Sequence, residues 1–559
     1  MKHFVSYFND SVKNNWDLPA VTNFGKETYT YAQIAEGIAK YHILFKETGI
    51  AEGDKIALYA RNSAEWCVAY FATLTYGAVT VPFLPDFIPA AVAELASFSE
   101  CKMVIVDDIA LNGMKSNEEY IAQIEKVKGF VALVNIKDMS LAHSLSDKVN
   151  KVFESIESKY SKMYPDGITA ADVNYYPQER DMDALVEISF TSGTTSATSK
   201  GVMLPARSLS VNLEFGKREI PSCVGGHIFA ILPMAHMFGQ TFDVLFPLSS
   251  GCHVYVMPGK PTPARLLGGL GAVKPFMFLT VPMVIEKVFK SKVIPTLKKP
   301  AMRIALAIPG LNKLILRGVR NKLYNTFGGN LLHGVIIGGA ALNKEVEMWM
   351  KKMKFPYCVG YGMTECGPII SFRHWTEFTP TSCGALVRYL ELRIDSNNPA
   401  KVLGEIQVKG DNVMLGYYKN EEATRAVFTK DGWMRTGDMG LFDKKENVFI
   451  KGRCKNMILS ASGQNIYPEE IEDKLNNIPY VVESLAVGRK NAIIGLIVPN
   501  WDAVKADGLT REELEKMIRE EIKKINVDLP AYSRVNDIEL RPDPFEKTPK
   551  QSIKRFMYQ

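Results

Sequence analysis

The chain has 559 residues, 47% of them hydrophobic and 23% charged, with a net charge of +6 at neutral pH. Its length admits about three or four domains, and its composition is that of an ordinary globular protein. The weak positive balance, without aromatic–basic repeats, speaks against nucleic acid as a partner, and no window of about eighteen residues is apolar enough to span a bilayer.

In chain order, the opening MKHFVSYFNDSVKNNW lacks the charged start, apolar middle and small-residue cleavage site of a signal peptide. A cytoplasmic location is therefore expected. The first 110 residues alternate between helix and strand: a helix near 31–47, the strand KIALYA, a helix near 64–77, and the strands AVTVPF and MVIVDD. VEISF and GVMLP then flank a loop of small residues. IFAILP (228–233), HVYVM (253–257), FMFLTV (276–281) and LHGVIIGG (332–339) read as buried strands. Helical patterns lie between them, as in TPARLLGGLGAV, where Thr262 is the N-cap and Pro263 opens the first turn. Such alternation indicates an α/β protein with doubly wound sheets.

Residues 286–322 carry ten Lys or Arg and one acid. Within them LNKLILRGVRNKLYNTF places apolar residues at helical spacing, with Lys313, Arg317, Arg320 and Lys322 between. This is an amphipathic helix whose basic face is either solvated or in peripheral contact with anionic lipid headgroups. From about 383 to 450, short strands with Gly turns (YLELRI, GEIQVKG, ENVFIKG) suggest a small β-barrel or sandwich. After Gly452 a compact α+β pattern follows, with helices near 468–476 and 510–526. The expected division is a large body, 1–452, and a smaller mobile domain, 453–559. The body holds α/β subdomains of about 1–185 and 186–382 and a β-barrel subdomain of about 383–452. The eight cysteines form no Cys-x-x-Cys pair and no Cys/His cluster with zinc spacing, so reduced thiols are expected.

Five segments carry chemistry. The loop TSGTTSATSKG, 191–201, offers backbone N–H groups and hydroxyls that can wrap phosphate oxygens, with Lys200 as a point charge. No Gly precedes Lys200 and no helix pattern follows at once, so it is not a P-loop. In IIGGAAL, Gly338, Gly339 and Ala340 end a strand without bulky side chains, and a flat ring can lie on such backbone. In VGYGMTECGP, Tyr361 offers an aromatic face, Thr364 a hydroxyl for phosphate and Glu365 a hard oxygen ligand for Mg²⁺. In GWMRTGDMG, Asp438 sits in a Gly-flanked turn where its carboxylate can accept from a ribose diol. The last segment, IKGRCKNMILSASGQNIYPEEIE, holds Arg453, Lys455 and Gly463 before a helix opened by Pro468.

TSGTT…KG, YGMTE, TGD and GR…SG…PEEIE stand together in the order and spacing of the adenylate-forming superfamily, which includes acyl-CoA synthetases, luciferases and peptide-synthetase adenylation domains. The chain resembles that superfamily from about residue 20 to 555. It is most similar to long-chain fatty acid–CoA ligases, through GQNIYPEEIE and VVESLAVGRKNAIIGLIVPN.

The resemblance implies ATP, Mg²⁺ and CoA as cofactors, a fatty acid as substrate, and CoA or an acyl carrier protein as acceptor. It implies that Thr191, Ser192, Gly193, Thr194 and Thr195, with Lys200, hold the β- and γ-phosphates. Adenine would lie between Gly338–Gly339–Ala340 and Tyr361, beside Gly362 and Met363. Thr364 would touch the α-phosphate, Glu365 with Thr194 would hold Mg²⁺, and Asp438 with Arg453 would take the ribose. PMAHMFG resembles the segment that brings a histidine, here His236, near the acyl site. A structural histidine fits the residues equally well. The acyl pocket would draw on about 233–243, 308–320 and 336–345. Lys455 would be the hinge and Gly463 would line the pantetheine tunnel.

Two features depart from the family pattern. The phosphate loop is one residue longer than TSGTTGxPKG, with Ser196 and Ser199 where Gly and Pro are usual. In KTPKQSIKR, Ser552 stands at the adenylation-lysine position, with Lys550 and Lys554 two residues to either side. In extended chain a spacing of two keeps the same face, so Lys550 is the candidate substitute.

Overall fold

The computed structural model describes residues 1–191, 199–220, 223–259, 262–331, 333–460, 464–489, 492–548 and 553–559. Its first layer is an eight-stranded sheet in the order 416–417, 201–205, 185–190, 79–83, 55–59, 101–106, 132–135, 141–143. KIALY, VTVPF and CKMVIV are parallel neighbours at its centre, and their continuous apolar runs are fully covered by helices. The helix Tyr31–Thr48 starts in a capping box between Thr30 and Gln33 and stops at Gly49, whose φ of 82° is left-handed. Ala64–Tyr76 is capped by Ser63 and ended by Gly77 in the same way.

A second, mostly parallel layer sets Pro19–Asn23 beside His253–Val256, then His227–Ala230. An isolated parallel bridge between Ile228 and Met277 ties this group to Phe278–Thr280, Val335–Ile337 and Tyr357–Val359. The doubly wound arrangement read from the alternation is therefore present. The helix Pro263–Val273 has Thr262 as its cap, Thr262 Oγ1 accepting from the Arg265 N–H.

The segment expected to be a small β unit is a four-stranded antiparallel sheet: Leu390–Asp395, Gly404–Gly410, Met434–Phe442 and Val448–Arg453. Past it lies a small α+β lobe. The antiparallel pair Val481–Arg489 and Ala492–Pro499 is extended in parallel by Val535–Leu540 and covered by helices Pro468–Leu475 and Arg511–Val527. Ile466, Ile471, Leu475, Leu514, Ile518, Ile522 and Ile538 form the lobe's own core. The final residues fold back on the lobe: Lys547 pairs with Glu483, Arg555 with Glu472, and Lys547 bridges Ile553.

The lobe meets the body through polar contacts. Asn343 Nδ2 donates to Asn477 Oδ1 at 2.8 Å, Lys290 Nζ donates to the Asn476 carbonyl at 2.9 Å, and Lys344 Nζ lies 3.3 Å from Asp473 Oδ2.

The basic stretch is helical, Pro300–Ala307 and Leu311–Thr326, but its apolar side is only partly covered. Ile315, Leu316 and Val319 pack on the second core. Ile308, Leu311 and Leu314 are 48%, 39% and 67% exposed. Of residues 308–320, expected to contribute to the acyl pocket, Ile308, Leu311, Lys313, Leu314 and Arg317 therefore face outward.

Candidate functional site

The YGMTE segment is a tight turn. Tyr361 and Gly362 pair with Ile369–Phe372, Thr364–Cys366 makes one 3-10 turn, and Gly367 follows at φ 57°. A β-carbon on Gly362 would lie 2.1 Å from the Pro368 carbonyl oxygen, so only glycine fits there. The Met363 N–H donates to that same carbonyl at 2.9 Å. The turn buries Thr364 and Glu365, which are 7% and 8% exposed.

From this turn Tyr361 reaches the β unit. Its hydroxyl donates to Asp438 Oδ2 at 2.7 Å, and Arg453 Nε lies 3.0 Å from Asp438 Oδ1. Asp438 and Arg453 meet because they are register partners on adjacent antiparallel strands. Asp438 is 3% exposed. Burial raises its carboxyl pKa, against the opposing pull of Arg453 and the Tyr361 hydroxyl. The Asp438 carboxylate in turn holds the Arg453 pKa up. Each Asp438 oxygen is engaged once and keeps a lone pair for a further donor.

Glu365 is held from another side. The Tyr417 hydroxyl donates to Glu365 Oε1 at 2.9 Å, and the Met414 N–H donates to the Glu365 carbonyl at 2.9 Å. Burial, then the Glu365 charge, push the Tyr417 hydroxyl pKa upward, so it stays a donor. Lys200 places its ammonium 4.6 Å from the Tyr417 ring centroid. Tyr417 belongs to the two-residue strand that pairs with Gly201–Pro205, immediately after the small-residue loop. Lys200, Tyr417 and Glu365 thus connect the end of that loop to the YGMTE turn. At the loop base the Thr191 N–H donates to the Lys200 carbonyl at 2.9 Å, and the Lys200 N–H donates to Thr191 Oγ1 at 3.2 Å.

Beside the turn lies the glycine shelf. The Gly338 N–H donates to the Thr280 carbonyl at 3.1 Å, and the Gly360 N–H donates to the Ile337 carbonyl at 2.9 Å. A β-carbon on Gly338 would come within 3.1 Å of the Phe238 ring, and Gly339 has φ +85°. Gly339 and Ala340 are exposed, leaving bare backbone open to a flat ligand. His236 caps the one-turn helix Met237–Gly239, its Nδ1 accepting from the Phe238 N–H at 3.2 Å. It is half-buried and two residues from the ring that abuts the shelf.

The structure therefore gathers Thr191, Lys200, Gly338, Gly339, Ala340, Tyr361, Gly362, Met363, Thr364, Glu365, Asp438 and Arg453 around one locus, with His236 at its edge. Lys455 is exposed in the 3-10 turn Cys454–Asn456 that directly follows Arg453. Ser192, Gly193, Thr194, Thr195, Gly463 and Lys550 lie outside the described residues, as does Ser552. Lys554 pairs with Glu546 at 3.2 Å on the small lobe.

Sequence reasoning missed Tyr417. Its one signal is the Gly416–Tyr417 step in MLGYYKN, a Gly turn carrying an aromatic. It also missed a buried polar group behind the loop. Glu187, on the strand leading into Thr191, is fully buried and accepts from Gln240 Nε2, which also donates to the Tyr70 hydroxyl at 2.8 Å. Burial pushes the Glu187 carboxyl up to about 8. Gln240 and the equally buried Asp243 sit on a π-helical stretch, Gln240–Leu245, a geometry often found beside functional sites.

No three His, Cys, Asp or Glu side chains cluster as a metal cage among the described residues. Glu365 fits Mg²⁺ in that ion's common mode, as one carboxylate completed by ligand oxygens and water.

A 28% identical relative over 540 residues, spanning 93% of this chain and 88% of the other, is a long-chain-fatty-acid–CoA ligase of Escherichia coli O6:H1. Another, 27% identical over 552 residues and spanning 93% and 89%, is a 4-coumarate–CoA ligase of Humulus lupulus. Among solved structures, an anthranilate CoA ligase in complex with anthranoyl-AMP superposes with a TM-score of 0.77 at 18% identity, covering 100% of this chain and 96% of that one. The sequence model described as "AMP-binding enzyme" matches residues 8–418, and that of its C-terminal domain matches residues 455–558. With the motifs above brought into one locus by the fold, these matches show that the chain belongs to the AMP-binding enzyme family.

Proposed function

We propose that the protein, an AMP-forming acid–thiol ligase by family, activates a medium- to long-chain fatty acid and transfers it to the thiol of CoA. The observation that carries this reading is the pair of linked contacts Tyr361–Asp438–Arg453 and Lys200–Tyr417–Glu365, which join four of the five chemistry-bearing segments. The fatty acyl assignment rests on the long-chain relative alone.

In this reading one carboxylate oxygen of the acid attacks the α-phosphorus of ATP, pyrophosphate departs, and a mixed anhydride with AMP forms. The CoA thiolate then attacks the acyl carbon and AMP leaves. Asp438 accepts from the ribose hydroxyls with its free lone pairs, and Arg453 holds that carboxylate in place. The backbone shelf of Gly338–Ala340 takes the adenine ring. Thr364 donates to the α-phosphate, and Thr191 to Thr195 with Lys200 hold the outer phosphates. Glu365 is oriented by Tyr417 to bind Mg²⁺ with Thr194, and the ion when bound supplies charge neutralisation at the phosphates. His236 borders the acyl entrance. Residues 453–559 act as the mobile domain, turning about Lys455 to present Lys550 for the first step and Gly463 for the second.

The test is pyrophosphate release against a panel of acids from acetate to stearate, followed by a choice between CoA and holo-acyl carrier protein. Release that peaks with medium or long chains and couples to CoA supports the reading. Coupling to the carrier protein alone makes it an acyl-carrier-protein ligase. No release with any acid, given the Ser552 departure, makes it a nucleotide- or acyl-adenylate-binding protein.

A further inference from the structure

The helical hairpin 300–318 forms an exposed surface of aliphatic and basic side chains. Pro300–Ala307 buries none of its residues. Pro300, Arg303, Ile304 and Ala307 are all exposed and share one face at helical spacing. The chain turns at Ile308–Gly310 and continues with Leu311, Lys313, Leu314, Arg317 and Gly318, all exposed as well. Ile304 and Leu314 are 69% and 67% exposed. Under the first helix, Leu297, Leu306, Met348 and Trp349, with the charged Lys298, Arg303 and Glu345, line a hollow of about 520 Å³.

The charge around it is of one sign. No Asp or Glu occurs from Lys287 to Lys344. The two nearest acids in sequence are already engaged: Glu345 pairs with Lys298 at 2.6 Å, and Glu286 Oε1 accepts from the Asn343 N–H at 2.9 Å. Among the described residues Lys299, Arg303, Lys313 and Arg317 have no carboxylate partner. Exposed aliphatics ringed by unpaired cations have a costly fit to water and a good fit to one kind of partner. The aliphatics enter the acyl boundary of a bilayer while the cations lie among anionic headgroups.

We propose that the 300–318 hairpin docks the protein reversibly on an anionic lipid surface, with Ile304, Ile308 and Leu314 inserted and Arg303, Lys313 and Arg317 on the headgroups. A neutral protein partner would leave the cations without counter-charge, and a second copy would oppose like charges.

The test is co-sedimentation of the full chain with vesicles of phosphatidylcholine alone and of equal parts phosphatidylcholine and phosphatidylglycerol. It is run at about 10 mM and about 150 mM salt, where the screening length falls from about 30 Å to about 8 Å. Binding is expected only to the anionic vesicles and is expected to weaken with salt. Arg303→Gln, Lys313→Gln and Arg317→Gln together should weaken it about fivefold per charge, roughly a hundredfold in all. Ile304→Ser, Ile308→Ser and Leu314→Ser together should weaken it by about tenfold or more and remove the part that resists salt. Both triples should keep the wild-type thermal midpoint and the wild-type ATP–pyrophosphate exchange without vesicles, because every changed side chain is exposed. Equal binding to the two vesicle types, no binding at low salt, or binding untouched by either triple overturns the proposal. So does a concentration-dependent dimer in sedimentation velocity that the serine triple abolishes, which would give the face to a second copy.

Discussion

Asp438→Asn separates the nucleotide role of this residue from its part in holding the fold. The residue is almost wholly buried, with Tyr361 and Arg453 on its two oxygens. The amide is isosteric and its oxygen still accepts from the Tyr361 hydroxyl; its NH2 then faces the Arg453 guanidinium, donor to donor, and that side chain, 64% exposed, turns to water at small cost. For stability the sign follows from burial. The folded-state pKa of Asp438 is raised, so its neutral form is favoured by folding. That stability is complete below the unfolded carboxylate pKa and lost as pH rises through the raised folded value. At neutral pH the wild type carries a buried charge that the amide does not, so the variant is expected to melt at or slightly above the wild-type temperature. Binding moves the other way. A hydrogen bond to a charged group is worth about 1.5–3 kcal/mol and a neutral one about 0.5–1.5 kcal/mol. Two ribose hydroxyls on an amide in place of a carboxylate therefore lose roughly 2 kcal/mol, or about thirtyfold in affinity. The assay is calorimetric titration with ATP and Mg²⁺ alongside a thermal shift. Unchanged ATP affinity with an unchanged melting temperature would refute the ribose assignment. A melting temperature lowered by many degrees would refute the argument that burial dominates this carboxylate.

Three further outcomes are expected. Tyr417→Phe removes the hydroxyl on Glu365 Oε1 but keeps the ring under Lys200, so about 1 kcal/mol of carboxylate positioning goes, and the Mg²⁺ needed for half-maximal ATP–pyrophosphate exchange should rise about fivefold; an unchanged requirement would separate Glu365 from the metal. Glu187→Gln should flatten stability above pH 6.5, because in the wild type a carboxyl neutral in the fold up to about 8 and ionised when unfolded loses about 1.4 kcal/mol per pH unit in that window. Parallel denaturation midpoints for the two proteins from pH 6.5 to 8 would show Glu187 charged in the fold. Lys290→Ala with Asp473→Ala removes three of the polar contacts between lobe and body, and a fluorophore pair across the junction should report a broader distance distribution with the lobe's own melting unchanged; an identical distribution would mean that other contacts hold the lobe on the body.

The sequence was most legible where local chemistry decides structure. KIALY, VTVPF and GVMLP are strands because continuous apolar runs bounded by turns have no other economical conformation, and Thr262–Pro263 opens a helix for reasons contained in two residues. What stayed hidden was long-range pairing. Pro19–Asn23 lies against His253–Val256, and Gly416–Tyr417 adds itself to the edge of a sheet whose other strands precede residue 206. Neither partner carries a mark of the other. The same holds for the site. The motifs name Tyr361, Asp438, Arg453 and Glu365, but not that Tyr361 donates to Asp438, nor that Tyr417 joins Lys200 to Glu365. The Glu187–Gln240–Tyr70 group was missed because each member looks like an ordinary residue in an apolar run. The surface hairpin was misjudged in part because helical periodicity predicts which side chains share a face, not whether anything covers that face.

The small lobe buries its aliphatic residues among themselves, and its contacts with the body include the Asn343–Asn477 amide pair, Lys290 on the Asn476 carbonyl, and the ion pairs Lys344–Asp473 and Lys451–Glu470. A joint of that kind breaks and re-forms without wetting any core. Transplanted between ligases of this architecture at the Gly452–Arg453 junction, the terminal hundred or so residues are expected to fold on arrival and, on the acceptor role proposed for Gly463, to carry the acceptor preference with them while the acid preference stays behind.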